Sequence, residues 1–310
     1  MSKLSIIGAG AVGSSIAYAA MIRSSATETV IYDLDNPRAV AEAADIGHAA
    51  LSSGSMRIAA AETLAGTANS DVVIITAGAK RKPDQTRLEL LAINESIVVG
   101  MVPEILEHSA NAKIVIVSNP CDVLATRAVQ KYGLPSNQVF SSGNVLDTSR
   151  LAWTLSLRLG VSVESVNAMV LGEHGDSQFP LWSQALIGNV PLLEYAGKEK
   201  PVTENELSSI AEEVKTAGAS VIAGKGATNY GIGASSALIA EAIIQDQNKV
   251  LPVSSVLKNY KGVSDVAISV PTVVNSTGAA KALDVSMTED EIASFTASAN
   301  AVRASVESLN

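Results

Sequence analysis

The first half of the chain alternates short apolar runs with longer helix-like stretches, and this rhythm restricts the fold more than any other feature. The runs "KLSIIG", "ETVIYD", "MRIAA", "DVVIITA", "KIVIVS" and "NQVFSSG" are separated by segments rich in Ala, Leu and Glu. Strands buried on both faces read as continuous Val/Ile runs. Each parallel return needs a crossover, which a helix supplies, so the economical topology is α/β, a doubly wound parallel sheet.

Near Gly143 the pattern changes. A helix is expected from about Leu146, then a strand "VNAMVLGE", two long helical segments, "VAIS" and "TVVN" as paired strands, and a closing helix. Thr203 with Glu206, and Thr288 with Glu291, have capping-box spacing and mark two helix starts. At 310 residues the chain is near the size at which one core divides in two. The expectation is two closely packed domains, residues 1–142 and an α+β domain over 143–310. No internal repeat or low-complexity linker separates them.

With 31 acidic and 22 basic residues the formal charge is −9, which argues against a non-specific nucleic-acid binder or a polybasic membrane-surface protein. Against that background the cluster Lys80, Arg81, Lys82 and Arg87 needs a local reason. Cys121 is the single cysteine and neither CxxC nor HExxH occurs, so a reducing compartment fits and a metal site has no support. "MSKLSIIGAG" enters a strand at once, which leaves no room for a leader, and no later apolar run is long enough to span a bilayer. The expectation is a soluble, unprocessed, cytoplasmic protein.

Residues 8–13, "GAGAVG", place Gly8, Gly10 and Gly13 in G-x-G-x-x-G spacing between the first strand and a helix of small residues. In a Rossmann sheet the first glycine permits the tight turn and the second lets backbone approach a pyrophosphate. The third allows helix and strand to pack closely. Glycine turns also occur in structural strand–helix joints, so the acid at the next strand end matters. Asp33 ends the second strand twenty residues after Gly13. A carboxylate there accepts ribose hydroxyls and repels a 2′-phosphate, favouring NAD over NADP. The competing reading is that Asp33 or Asp35 only begins the turn before Asn36-Pro37.

The chain has three histidines. His48 and His108 fall in helix-like stretches and read as surface or packing residues. His174 lies in "LGEHGDSQFP", after an apolar strand and between Gly172 and Gly175, where a side chain can face a cleft. A packing role for a strand-end histidine fits equally well. Upstream, "NVLDTSR" sets Asp147 and Arg150 three residues apart at a helix start, so both can project from one face. An acid serving the helix dipole and an unrelated surface arginine would give the same pattern.

Taken together, "GAGAVG", "TAGAKRKPDQTRLEL", "VSNPCDV", "SSGNVLDTSR", "LGEHGDSQFPLWS", "GKGATNYGIG" and "LPVSSVLKNYKGVSDVAISVPTVVN" resemble the L-lactate/L-malate dehydrogenase family, particularly its bacterial lactate dehydrogenase branch, over essentially the whole chain. The resemblance implies hydride transfer between NAD and a small 2-hydroxy or 2-keto acid. His174 would move the C2-oxygen proton, Asp147 would hold the other ring nitrogen, and Arg150 would bind the C1 carboxylate through its planar fork. Arg87 would polarise the ketone from a segment that closes over the substrate. Asn119 would lie near nicotinamide and substrate, Ser142 on the nicotinamide side, and Thr228 and Ile232 along the shared pocket. It also implies a homodimer or homotetramer.

By the same resemblance Arg81 stands where the substrate's C3 substituent is read. Lactate dehydrogenases usually carry glutamine there and malate dehydrogenases arginine. Oxaloacetate brings a second carboxylate that needs a second cation, whereas pyruvate would leave Arg81 against a methyl group. Malate/oxaloacetate is therefore the favoured pair, with lactate/pyruvate the alternative, since most of the sequence follows the lactate branch. Allosteric members carry an arginine two residues after the Arg150 position and a histidine seven before the His174 position. Here Ala152 and Asn167 occupy them, so no activation by fructose bisphosphate is expected.

Other classes fit less well. A nucleotide-sensing module without catalysis has no need of His174, Asp147, Arg150 and Arg87 together. A short-chain reductase would need a Tyr-xxx-Lys pair and a phosphotransferase a G-x-x-x-x-G-K-[ST] loop, and the chain has neither.

Overall fold

The computed structural model describes residues 2–54, 56–79, 86–195 and 202–309. The six expected strands form: β1 (Lys3–Ile7), β2 (Glu28–Tyr32), β3 (Arg57–Ala61), β4 (Val72–Ile75), β5 (Lys113–Ile116) and β6 (Val139–Ser141). Every pairing among them is parallel, in the order β6-β5-β4-β1-β2-β3. Helices α1 (Ala11–Arg23), α2 (Asn36–His48), the short α3 (Ala50–Ser53), α4 (Arg87–Asn94), α5 (Val102–His108) and α6 (Cys121–Tyr132) lie between strands, and a π-helical turn, Glu95–Val99, follows α4. The order reverses direction beside β1, the crevice where such sheets bind ligands.

Side-chain alternation puts one core on each face of this sheet. Val73 and Ile75 of β4 join Ile7, Ile114 and Ile116 on one side, while Val72 and Ile74 join Leu4, Ile6 and Val115 on the other. All four β4 residues are fully buried, each contributing about 1.5–3 kcal/mol of transfer free energy.

The second half begins with α7 (Val145–Leu159) and continues through strands β7 (Val166–Asn167), β8 (Val170–Leu171), β9 (Phe179–Pro180), β10 (Leu186–Ile187) and β11 (Val190–Pro191). Then come α8 (Leu192–Tyr195), α9 (Glu204–Lys225) and α10 (Tyr230–Ile244). The last elements are β12 (Lys249–Leu251), β13 (Ser254–Val256), β14 (Ala267–Ser269), β15 (Thr272–Asn275), β16 (Gly278–Ala282) and α11 (Glu289–Glu307). The capping boxes expected at Thr203 and Thr288 are both formed.

Two expectations are corrected here. "VAIS" and "TVVN" do not pair: β14 pairs with β13, while β15 lies between β12 and β16 in a separate sheet. Pro271 falls between them and has no N–H for a ladder, so the chain leaves one sheet and enters the next. "VNAMVLGE" is likewise two strands in different sheets, β7 with β10 and β8 with β9.

β13 and β14 extend the large sheet to eight strands in antiparallel fashion beyond β6. Helix α10 also returns to the first half and packs on α1 through small residues. A Cβ built on Gly233 would lie 2.7 Å from the Cβ of Ser15. Leu151, Leu155, Val170, Ile187, Ile210 and Val214 form a third core between α7, α9 and the small strands. Among the described residues no helix is long and apolar enough to cross a membrane.

Candidate active site

The glycine turn is built by exclusion. Gly8 has φ +112°, and a Cβ there would come within 2.5 Å of Thr76 Oγ1. A Cβ on Gly13 would approach the Gly8 carbonyl oxygen to 1.8 Å, so α1 can sit on β1 only with glycine at that position. Gly10 differs, for a Cβ there meets no atom within 4 Å. Packing therefore does not require that glycine, while close approach of a phosphate to the α1 amino terminus would.

Asp33 braces the same turn. Its Oδ2 accepts from Ala9 N at 2.6 Å and its Oδ1 from Asp35 N at 2.9 Å. A carboxylate offers about four acceptor positions, so two remain for hydroxyl groups. Gly8, Gly10, Asp33, Thr76 and Thr228 line one cavity of about 690 Å³. The residues present thus fit a dinucleotide. Half-buried Ile232 lies in the first turn of α10, Asn119 is exposed beyond the end of β5, and Ser142 is buried just after β6.

The sheet's carboxyl edge also carries the titratable cluster. Asp147 in the first turn of α7 is 1% exposed and meets a different side chain with each of its two oxygens. Oδ2 lies 2.7 Å from His174 Nδ1, and Oδ1 accepts from an Arg150 terminal nitrogen at 2.8 Å. His174 and Arg150 keep 23% and 19% of their side chains exposed, so each can still meet a ligand. Asp147 accepts at Nδ1, so that nitrogen carries hydrogen and Nε2 is the one able to exchange a proton.

Burial works against an imidazolium at position 174, but the Asp147 charge, its hydrogen bond and the nearby Asp122 charge together outweigh it, so the His174 pKa is raised. For Asp147 burial would raise the pKa, and His174 and Arg150 together reverse that and lower it.

The loop bearing His174 is held by donors from its own backbone. His174 N donates to Asp122 Oδ2 at 2.7 Å, and Glu173 N donates to Ser298 Oγ of α11 at 2.6 Å. Gly172 exchanges two backbone bonds with Ser269 of β14. Asp122 is 2% exposed, and its Oδ1 accepts from Ser141 Oγ at 2.6 Å. Asp122 and Ser298 escaped the reading of the sequence. A carboxylate directly after "NPC" and before an apolar helix face was the available signal for Asp122. Ser298 offered none.

Arg81 lies outside the described residues. Arg87 begins α4, and its side chain also lies outside them. Its helix opens with a capping box between Thr86 and Glu89, a third such signal that the sequence carried. Among the described residues no group of three or more His, Cys, Asp or Glu is placed to hold a metal ion.

The lactate/malate dehydrogenase NAD binding domain model matches residues 2–141, and the model for the family's alpha/beta C-terminal domain matches residues 144–310. The chain belongs to the lactate/malate dehydrogenase family. It is an α/β enzyme of that family and uses NAD. An L-lactate dehydrogenase of Kosmotoga olearia is 41% identical, with 99% of this chain and 96% of that protein covered. One from Synechococcus sp. is 40% identical, with 99% of both covered. Among solved structures, the minor L-lactate dehydrogenase from Enterococcus mundtii superposes with a TM-score of 0.95 at 35% identity, covering 100% of this chain and 98% of that one. A malate dehydrogenase from Salinibacter ruber gives 0.91 at 30% identity over 99% of this chain and 97% of that one. The relatives' names thus favour the lactate alternative over the malate preference expected from Arg81.

Proposed function

We propose that this family member interconverts an L-2-hydroxy acid and its 2-keto acid with NAD, and that lactate and pyruvate are its pair. The observation that carries the reaction is the double contact of Asp147 with His174 and Arg150. NAD, when bound, accepts or returns the hydride. In oxidation the hydride leaves C2, the hydroxyl proton passes to His174 Nε2, and the C2–O bond becomes a carbonyl. Asp147 stabilises the imidazolium that forms. Arg150 keeps donors beyond the one given to Asp147, and these receive the substrate carboxylate as a planar pair. Arg87 polarises the carbonyl in the reverse direction. Gly8, Gly10, Gly13 and Asp33 hold the dinucleotide, while Asn119, Ser142, Thr228 and Ile232 bound its nicotinamide end and the substrate.

The lactate assignment is supported by the names of the relatives at 38–41% identity. A second reading, malate and oxaloacetate, rests on Arg81, because a second substrate carboxylate would need that cation. Within this proposal residues 1–142 form the NAD-binding domain and 143–310 the substrate domain of a cytoplasmic homodimer or homotetramer. Steady-state NADH oxidation with pyruvate and with oxaloacetate tests both readings. Preference for pyruvate is expected, and preference for oxaloacetate would give the substrate assignment to Arg81. No oxidation with either, or full activity in His174→Asn, would overturn the reaction itself.

A further inference from the structure

Asn94 is the last residue of α4, where the helix widens into the π-helical turn. It is 4% exposed, and its carboxamide is used at both ends. Oδ1 accepts from Ala79 N at 2.8 Å, and Nδ2 donates to the Asn119 carbonyl at 2.9 Å. One side chain therefore ties the chain leaving β4 to the chain leaving β5. Gly78 leaves room for it, since a Cβ there would stand 3.2 Å from Asn94 Oδ1. Glu95, the next residue, pairs with Arg127 of α6 at 2.8 Å, so the turn is fixed to the helix that follows Asn119. π-Helical turns occur often at functional sites, where the extra residue redirects a side chain.

We propose that Asn94 is a positioning residue for hydride transfer: its carboxamide sets the separation of the two loops that flank the nicotinamide end of the cleft, and so the placement of Asn119. This rests on the dehydrogenase reading above. Only an amide of this length donates at one end and accepts at the other. Aspartate would set an oxygen against the Asn119 carbonyl, and leucine would leave both backbone groups without partners.

The test compares wild type, Asn94→Asp and Asn94→Leu as full-length protein. NADH affinity is read by fluorescence, and the hydride step by single-turnover oxidation of pre-bound NADH, with protium or deuterium at the transferred position, on mixing with keto acid. Displacements of an ångström cost up to about a hundredfold in rate. The expected result is a single-turnover rate reduced by roughly tenfold or more and sensitive to deuterium, with NADH affinity within about threefold of wild type. A rate within about twofold of wild type overturns the proposal. So does a loss of NADH affinity that accounts for the whole effect, which would make Asn94 merely structural. Should both variants fail to fold, Asn94→Gln decides, because it keeps the donor and the acceptor but carries them on an arm one methylene longer. The same rate loss supports the role, and an unchanged rate rejects it. Wild type without turnover would instead refute the reading on which the inference rests.

Discussion

Asp147 divides its carboxylate between His174 Nδ1, 2.7 Å from one oxygen, and Arg150, 2.8 Å from the other. The imidazole and the guanidinium, the proposed base and the proposed carboxylate binder, are thereby set in fixed relation by a single buried residue. Asp147→Asn removes the charge that favours the imidazolium, whose pKa is raised in the intact pair. With His174 as the proposed base, oxidation needs its neutral form, so kcat/KM should rise with pH through the free-enzyme value. Reduction needs the protonated form and falls through the same value. In the variant both profiles should move to lower pH, with a loss of about a hundredfold or more in kcat, since the amide can also hold the wrong tautomer. Rate–pH profiles in both directions check this, and an unmoved profile contradicts it.

The same pair governs acid and base stability. The raised His174 pKa means its contribution is full below the ordinary imidazole value of 6.5 and is lost as pH climbs through the higher folded value. The lowered Asp147 pKa means its contribution is present above 3.8 and is lost as pH falls through the folded value. Wild type should exceed Asp147→Asn in Tm most between these two ordinary values, 3.8 and 6.5, and the gap should shrink toward alkaline pH. Thermal melts across that range measure it. A gap that widens above neutrality would contradict the pairing.

Gly10 and Gly13 should separate binding from folding. Gly13→Ala drives a methyl group into the Gly8 carbonyl and should cost about 1–3 kcal/mol of stability or more, with NADH affinity lost alongside. Gly10→Ala meets open space in the protein, so Tm should hold within a degree or two while NADH affinity falls about tenfold or more. A weakened Gly10→Ala fold with normal NADH binding would show that the open space is not the phosphate position.

These glycines were legible in the sequence because each answers a local demand, a turn or a close approach, that leaves few substitutes. The six parallel strands were legible for a similar reason, since burial on both faces forces Val and Ile into continuous runs. β13 was not recognised as a strand and β14, read as the strand "VAIS", was given the wrong partner, for "SSV" and "AIS" are short and serine-bearing, and only the tertiary pairings of β13 with β6 and β14 define their place. Asp122, Asn94 and Ser298 were missed on the same physical ground. Each is an ordinary polar residue by type, and its importance comes from burial against backbone donors supplied by distant segments.

Ser298 offers a direct measure of that long-range support. Its hydroxyl accepts from Glu173 N and bonds Ser177 Oγ at 2.9 Å, while Ser177 donates to Glu173 Oε2 at 2.5 Å, closing a ring beside His174. Ser298→Ala leaves a part-buried N–H without its acceptor, a cost of about 1 kcal/mol. Chemical denaturation should show that loss, and kcat should fall more than NADH affinity if the loop carries the proposed base His174 and not the nucleotide site. Unchanged stability would mean the ring contributes nothing.

Substrate choice should turn on Arg81 whichever keto acid wild type prefers. A guanidinium that reads the C3 substituent meets a carboxylate in oxaloacetate and a methyl group in pyruvate, and an enclosed cation without its anion is costly. Arg81→Gln should therefore raise the ratio of kcat/KM for pyruvate to that for oxaloacetate by about a hundredfold or more, in the range seen when a site loses a matched charged contact. If wild type already favours pyruvate strongly and the ratio stays fixed in the variant, the role proposed for Arg81 is rejected. Arg150 would then supply the one substrate-binding guanidinium apart from Arg87, and the malate reading would fall with it.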